Sequence, residues 1–195
     1  LGALDLRTLK PDNTAWDFTK RSDRQLVRDM VSRLQPDWII GSPPCTSFSI
    51  WNHGINFRKM DQSKVQQMIK EGQVHLNFVC SLYRIQLKKG KYFLHEHPKN
   101  ATSWDLEIME EIVRLPGVER VNADQCEFGL KTSVRREQRH AKKPTGFATN
   151  SWCMACELDR QCSGRHLHFS LMEGRAAKGK EYPAGLCKAV CNGFQ

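Results

Sequence analysis

One cysteine of this chain lies where a nucleophile would be held rigidly. Pro43, Pro44 and Cys45 come directly after the apolar run at 38–40, within the segment GSPPCTSFS at 41–49. Because proline fixes φ, the direction of the Cys45 thiol is constrained. A constrained thiol is suited to nucleophilic attack when its surroundings favour the thiolate. An isolated loop cysteine is more often structural, so the interpretation depends on the residues that accompany it.

A carboxyl group, Glu96, stands at the end of a second apolar run in the segment HEHP at 95–98. A buried carboxyl keeps its proton and can act as a general acid. The alternative is a carboxylate paired with a lysine or an arginine. His95 and His97 flank Glu96, and each is either a core histidine or a residue that orients Glu96 or binds a metal ion.

The elements that must position these residues alternate between strands and helices. We predict strands at 37–40, 92–96 and 118–123, with a further short strand at 2–6. We predict helices at 61–89, 103–115 and 183–194, and a helix that begins near Ser22, with Ser22 and Gln25 as a capping box, and stops at Pro36. Residues 127–150 are expected to be irregular. This order predicts an α/β domain with a parallel sheet. Since the carboxyl ends of such strands share one edge, Cys45 and Glu96 should meet in one crevice.

These motifs resemble those of the cytosine-C5 DNA methyltransferases. Pro44, Cys45, Phe48 and Ser49 match the family's Pro-Cys-x-x-x-Ser loop, and Glu96 stands where the family has the Glu of Glu-Asn-Val. Asp17 lies where the family has an Asp that contacts the cofactor adenine. The segment CEFGL at 126–130 is similar to the start of the family's Tyr-Gly-x-x-x-x-Arg-x-Arg segment. The segments HEHP and KPTGF (143–147) resemble divergent methyltransferase-like domains of phages and algal retroelement polyproteins.

The resemblance implies a Rossmann-like methyltransferase fold that transfers a methyl group from S-adenosylmethionine to a flipped cytosine. It implies that Cys45 adds to C6 of the base, that Glu96 protonates N3, and that an arginine of the basic loop contacts the base or a phosphate. The implied catalytic residues are Cys45, Glu96, Arg135 and Arg136, and the implied cofactor-binding residues are Asp5, Asp17, Pro43 and Pro44.

The family's Gly-rich cofactor turn is absent from this chain, in which 3–6 (ALDL) is followed by 7–10 (RTLK). Without glycine the backbone cannot easily approach the cofactor. We therefore expect one of three situations: the fold is truncated at its N-terminus and belongs to a larger polypeptide, its cofactor half has decayed, or another element supplies the turn. The alternative function is a catalytically inactive nucleic-acid-binding module on a decayed methyltransferase fold. An amino-methyltransferase, suggested by Ser-Pro-Pro, would need an aromatic residue where Cys45 stands.

The charge balance favours a polyanionic partner. Lys and Arg number 30 against 21 Asp and Glu, which gives a net charge of +9. We expect DNA, or alternatively RNA, as the partner, and no membrane, because no apolar run reaches about 18 residues. The residues predicted to contact nucleic acid are Ser49, Lys131, Arg139, Lys142 and Lys143.

Eight cysteines in a chain of 195 residues are not the pattern of a small secreted scaffold. We therefore expect thiols in a reducing intracellular compartment, the nucleus if the source is a eukaryote. The spacing Cys153-x2-Cys156-x5-Cys162-x3-His166 has the ligand types of a structural zinc site. Cys187 and Cys191 share one helix face and are expected in the core. We predict two parts, a methyltransferase-like domain at 1–150 and a Cys/His-rich segment with the closing helix at 151–195, packed on the same domain.

Overall fold

The computed structural model describes residues 2, 4, 8–134, 137–169, 171 and 181–194. Asp5, Arg135 and Arg136 lie outside these residues, as does most of the strand predicted at 2–6, so their predicted roles stay predictions. The helices are α1 (Arg21–Leu34), α2 (Gln62–Lys88), α3 (Glu107–Val113), α4 (Trp152–Leu158) and α5 (Ala184–Asn192). The strands are β1 (Trp38–Gly41), β2 (Tyr92–Pro98), β3 (Glu119–Asp124), β4 (Lys131–Val134), β5 (Glu137–His140) and β6 (Pro144–Thr149). The protein is therefore of the mixed α/β class.

The main sheet has four strands in the order β1-β2-β6-β3. β1 and β2 are parallel, whereas β6 is antiparallel to both β2 and β3. β3 therefore runs in the same direction as β1 and β2. The prediction of a parallel sheet holds for these three strands and is wrong for β6. β4 and β5 form a separate antiparallel hairpin.

Helices cover both faces of the sheet. The residues of β2 alternate between the two faces, as a strand requires. Phe93 joins a core with α2 and α3, and the main buried members of that core are Phe48, Leu76, Cys80, Tyr83, Trp104, Met109 and Ile112. Leu94 joins a core with α4 and α5, formed by Ala123, Phe128, Phe147, Met154, Leu158, Leu186 and Ala189. The segment predicted at 151–195 thus packs on the same sheet, through α4 and α5.

The prediction that 127–150 is irregular is wrong. The segment holds the β4–β5 hairpin and β6, which lies between β2 and β3. Pro144 begins β6 without breaking it, since a proline is tolerated at the first residue of a strand. Gly146 is needed inside β6 because a Cβ there would lie 2.9 Å from the Trp104 ring. Pro144 therefore marks the start of a strand rather than a loop, and Gly146 marks a close contact inside that strand.

Three other boundaries differ from prediction. α1 begins at Arg21, so Ser22 lies within its first turn and bonds to Asp23, and the Ser22–Gln25 capping box is wrong. The helix predicted at 103–115 is a 3-10 turn, Thr102–Asp105, followed by α3. β2 extends to Pro98 itself. The helix predicted at 61–89 is confirmed as α2, whose first turn is capped by the Asp61 side chain.

Candidate functional site

The turn that carries Cys45 packs tightly against α2. Gly41, the last residue of β1, is so close to Tyr83 that a Cβ at this position would lie 2.0 Å from the Tyr83 Oη. A Cβ on Gly72 of α2 would lie 2.7 Å from the Cβ of Ser47, which follows Cys45 in the chain. Glycine at both positions therefore allows β1 and the turn to approach α2. Cys45 itself is half-buried, and its carbonyl accepts the amide of Phe48 at 3.0 Å.

His97 joins this turn to β2. Its Nε2 lies 3.0 Å from the carbonyl oxygen of Pro43, and its Nδ1 lies 2.6 Å from the Ser103 Oγ. A carbonyl oxygen only accepts, so Nε2 carries the proton and Nδ1 accepts from the Ser103 hydroxyl. Burial lowers the pKa of His97 to about 4, which keeps the ring neutral at neutral pH. His97 is thus a core histidine that positions the Pro-Pro-Cys turn.

His95 is the second core histidine of β2. It is fully buried, and its Nδ1 lies 3.0 Å from the Tyr83 hydroxyl. Burial lowers its pKa well below the usual value. Because His95 and His97 lie on the face of β2 that packs on α2, and Glu96 lies on the opposite face, neither histidine bonds to the Glu96 carboxyl.

Glu96 is a buried carboxyl with 8% of its surface exposed. Its Oε2 accepts a hydrogen bond from the Tyr182 hydroxyl at 3.0 Å, while Oε1 is buried without a hydrogen-bond partner among the described residues. Burial raises the pKa of Glu96, and the charge of Lys143 and the hydroxyls of Tyr182 and Ser42 act in the opposite direction. The carboxyl is therefore held in surroundings that favour its protonated form.

Tyr182 links the two candidate catalytic residues. Its hydroxyl lies 2.7 Å from the Ser42 Oγ, in addition to its bond with Glu96. Burial raises the pKa of Tyr182, and the negative charges of Glu96 and of the Cys45 thiolate raise it further. The Tyr182 hydroxyl thus bonds to Glu96 directly, whereas Cys45 acts on it through charge alone.

A cleft of about 1160 Å³ begins at Tyr182 and Ser42. Its walls are apolar side chains of α1, α2 and β1, including Val27, Ile39 and Phe78. Three of the four residues predicted to bind the cofactor line this cleft, namely Asp17, Pro43 and Pro44. The fourth, Asp5, lies outside the described residues.

Asp17 presents a carboxylate to this cleft. Its Oδ1 accepts hydrogen bonds from the amide and the hydroxyl of Thr19, and Lys20 lies 3.5 Å from its Oδ2. The Thr19 side chain, followed by its amide and the Lys20 charge, lowers the pKa of Asp17 against the effect of burial. The cleft therefore combines apolar walls with two acidic residues, Asp17 and Glu181.

The residues predicted to contact nucleic acid are dispersed. Lys143 alone among the four predicted lysines and arginines lies at the Glu96 site, with its ammonium 5.7 Å from the centre of the Tyr182 ring. Lys142 forms an ion pair with Asp124 at 3.3 Å, and Arg139 forms one with Glu137. Lys131 is exposed on β4, and Ser49 is half-buried beyond the Cys45 turn. The predicted contacts of these residues with nucleic acid stay predictions, and the charges of Arg139 and Lys142 are paired within the protein.

A second cluster of reactive side chains lies at the end of β3. The sulfur atoms of Cys126 and Cys162 and the ring nitrogens of His166 and His168 all lie within 4.8 Å of one another. The His168 Nε2 is 3.3 Å from the Cys126 Sγ and 3.4 Å from the Cys162 Sγ. We refer to these four residues as the Cys/His cluster. Its donor atoms are arranged so that it could bind a metal ion.

The predicted metal ligand set is corrected by this arrangement. Cys162 and His166 are in the cluster, but Cys153 and Cys156 are not. Both lie on α4, whose buried side turns Met154, Ala155 and Leu158 toward the core and leaves the two cysteines exposed. Their places are taken by Cys126 and His168.

The other cysteines also bear on the predictions. All eight are described, and no disulfide joins them in the structure. Cys187 and Cys191 on α5 are exposed, so their predicted place in the core is wrong. Leu186 and Ala189 form the buried side of α5 instead.

Two groups of functional residues escaped sequence reasoning. Tyr182 follows a segment with no motif, and only the fold brings it to Glu96, which is far away in the chain. Cys126 was missed because three strands, β4, β5 and β6, and the helix α4 separate it from Cys162, so no short spacing connects it to the predicted ligand. The one available signal was the close pair of His166 and His168 after Cys162.

Comparisons with protein-family models, characterised proteins and solved structures found no match to this chain. Among the described residues, no helix is both long and apolar enough to cross a bilayer.

Proposed function

We propose that this chain is a DNA cytosine-C5 methyltransferase-like domain, with Cys45 as nucleophile and Glu96 as the acid that protonates N3 of the base. The observation that carries the proposal is the Tyr182 hydroxyl, which bonds to Glu96 and lies within electrostatic range of Cys45. Together with the positions of Cys45 after β1 and of Glu96 on β2, the adjacent parallel strand, it supports a site that the thiol and the carboxyl share. The sequence resemblance requires the same pair of residues.

The sheet order is compatible with this proposal. Cys45 follows β1, and Glu96 lies two residues before the end of β2, the adjacent parallel strand, so both lie toward the same sheet edge. The finer assignment of a Rossmann-like fold is part of this proposal.

The cleft beside the pocket fits S-adenosylmethionine as a cofactor. A volume of about 1160 Å³ accommodates a ligand of this size, since ligand pockets are typically about 300–1,000 Å³. Pro43, Pro44 and Phe18 would contact its rings, and the Asp17 carboxylate would accept from its polar groups. When bound, S-adenosylmethionine would supply an electrophilic methyl group at the end of the cleft where Tyr182 lies.

The chemistry begins at the Cys45 sulfur. The thiol loses its proton to solvent, and the thiolate adds to C6 of cytosine to form an S–C6 bond. The electron pair of the C5–C6 double bond moves toward C5 while Glu96 gives its proton to N3, which offsets the negative charge on the ring. A raised pKa of Glu96 suits this step, because the acid must hold its proton at neutral pH.

With S-adenosylmethionine held beside Asp17, Pro43 and Pro44, C5 would take the electrophilic methyl group that the cofactor would supply, and the electron pair of the broken carbon–sulfur bond would stay on the cofactor's sulfur. The C5 proton leaves to solvent, the C5–C6 double bond forms again, and the S–C6 bond breaks to return the Cys45 thiolate. N3 returns its proton to Glu96. A base in duplex DNA must leave the stack to reach this pocket. It would also compete with Tyr182 for the Glu96 carboxyl.

The alternative function is an inactive nucleic-acid-binding module. Tyr182 favours it, because its hydroxyl already takes the hydrogen-bonding position on Glu96 that a base would need. The absence of a Gly-rich turn favours it as well. In that case Lys131 and Lys143 would contribute phosphate contacts without any catalytic step.

Methyl transfer tests the proposal. The protein is incubated with S-adenosylmethionine labelled on the methyl group and with duplex DNA, and the label in DNA is counted for wild type, Cys45→Ser, Glu96→Gln and Cys153→Ser. We expect transfer by wild type, loss of about 10²-fold or more in the first two variants, and unchanged transfer in the exposed control Cys153→Ser.

The opposite results are equally informative. No transfer by wild type, with retained DNA binding in a filter or anisotropy assay, would overturn the enzyme and support the binding module. Label on RNA but not on DNA would keep the chemistry and correct the substrate. Full activity of Cys45→Ser would exclude the proposed nucleophile.

A further inference from the structure

We propose that Cys126, Cys162, His166 and His168 bind one structural zinc ion in a closed tetrahedral site. The proposal rests on the positions of these four side chains and is independent of the methyltransferase reaction. It assigns a different site from the one that the Cys153–Cys156 spacing predicts.

The distances within the cluster match the edges of a zinc tetrahedron. Zinc bonds of about 2.3 Å to sulfur and about 2.0–2.1 Å to nitrogen at tetrahedral angles put neighbouring S and N ligands about 3.5 Å apart. The Cys162 Sγ is 3.6 Å from the His166 Nε2 and 3.4 Å from the His168 Nε2. The His168 Nε2 is 3.3 Å from the Cys126 Sγ. These three edges thus need no side chain to move far.

The ligand-bearing loop is fixed by bonds of its own. The amide of Gly164 donates to the Cys162 Sγ at 3.3 Å, and Gly164 has a φ of 77°, a left-handed conformation suited to glycine. The amide of Cys162 donates to the Asp124 Oδ2 at 2.9 Å, and Lys142 pairs with the same carboxylate. Such outer contacts orient metal ligands and raise metal affinity.

The ligand chemistry favours zinc over other divalent ions. Two thiolates with two imidazoles in tetrahedral array are typical of zinc, whereas calcium and magnesium take oxygen ligands. All four positions are filled by protein, which leaves no position for a reacting water. The ion would therefore be structural, and it would join the turn after β3 to the segment at 162–168.

The measurement uses the full chain purified from zinc-supplemented medium. Elemental analysis should find one zinc ion per wild-type chain. Cys162→Ser and His168→Ala should lower zinc affinity by more than about tenfold, and Cys153→Ser and Cys156→Ser, the matched controls, should keep full zinc content. Cobalt exchanged into the wild type should give the intense visible bands of a tetrahedral thiolate site.

X-ray absorption on the wild-type zinc protein decides the ligand set even if a ligand variant fails to fold. We expect two sulfur neighbours at about 2.3 Å and two nitrogen neighbours at about 2.0–2.1 Å. Three or four sulfur neighbours, or loss of zinc in Cys153→Ser, would assign the ion to the α4 cysteines and overturn the proposal. A wild-type protein without zinc would overturn it too.

Discussion

Acid should destabilise the protein through His97, the histidine that holds the Pro-Pro-Cys turn. Burial lowers the pKa of His97 from 6.5 to about 4. Between these two values the unfolded chain binds a proton at this residue and the folded chain does not, so stability falls as pH falls. A difference of about 2.5 pKa units corresponds to about 3 kcal/mol, fully present above pH 6.5 and lost by about pH 4.

The assay is urea unfolding of wild type and His97→Gln at several pH values. Between pH 6 and 5, His97 contributes a slope of about 1 kcal/mol per pH unit, and the variant should lack this contribution. His95 remains in both proteins, so the effect of burial, the larger cause of its lowered pKa, is common to both. Between pH 7.5 and 8.5 the two slopes should agree, because His97 is then neutral in both states. Equal slopes between pH 6 and 5 would refute the assignment of a buried, neutral His97.

Three further changes test the site. Wild type should lose stability as the pH rises from about 4.5 through the raised pKa of Glu96, because a buried carboxyl is stabilising only while protonated. Glu96→Gln should not show this loss, which urea unfolding at pH 4.5 and 7.5 measures. An unchanged loss in the variant would contradict the prediction. Tyr182→Phe should raise the pKa of Glu96 further, as read from its carboxyl carbon by NMR, because the hydroxyl that stabilises the carboxylate is removed; an unchanged or lower pKa would show that the bond does not form. Gly41→Ala should cost roughly 1–3 kcal/mol of stability, since the new Cβ meets the Tyr83 hydroxyl. Gly54→Ala is the matched control, because the space around its Cβ is open. Equal stability of the two variants would refute the close approach of Gly41 to Tyr83.

The positions of Cys45 and Glu96 could be predicted because they depend on local patterns. A short apolar run followed by Pro-Pro indicates a strand and its end. The helical repeat of apolar residues in α2 extends over enough turns to be unambiguous. Two adjacent parallel strands then bring their carboxyl ends together by topology alone. The sequence was therefore enough to predict that these two residues lie toward the same edge of the sheet.

β6 and the Cys/His cluster could not be predicted because they depend on tertiary contacts. Gly146 lowers the strand propensity of its segment. The glycine is required there because the Trp104 ring, which lies on another element, leaves no room for a Cβ. The Cys153–Cys156 spacing is that of a zinc half-site, but both residues lie in a helix whose core-facing positions are 154, 155 and 158. The packing of that helix turns both cysteines to its exposed side, and neither belongs to the Cys/His cluster.

The most direct test of the central claim is covalent trapping at the Cys45 sulfur. DNA that contains 5-fluorocytosine is incubated with the protein and S-adenosylmethionine, because fluorine at C5 cannot leave as a proton and the S–C6 bond then persists. We predict a denaturation-resistant adduct whose peptide maps to Cys45, present in wild type and Cys153→Ser and absent in Cys45→Ser. An adduct at another cysteine, or none from a wild-type protein that binds both DNA and cofactor, would contradict the pairing of this thiol with Glu96 around one pyrimidine.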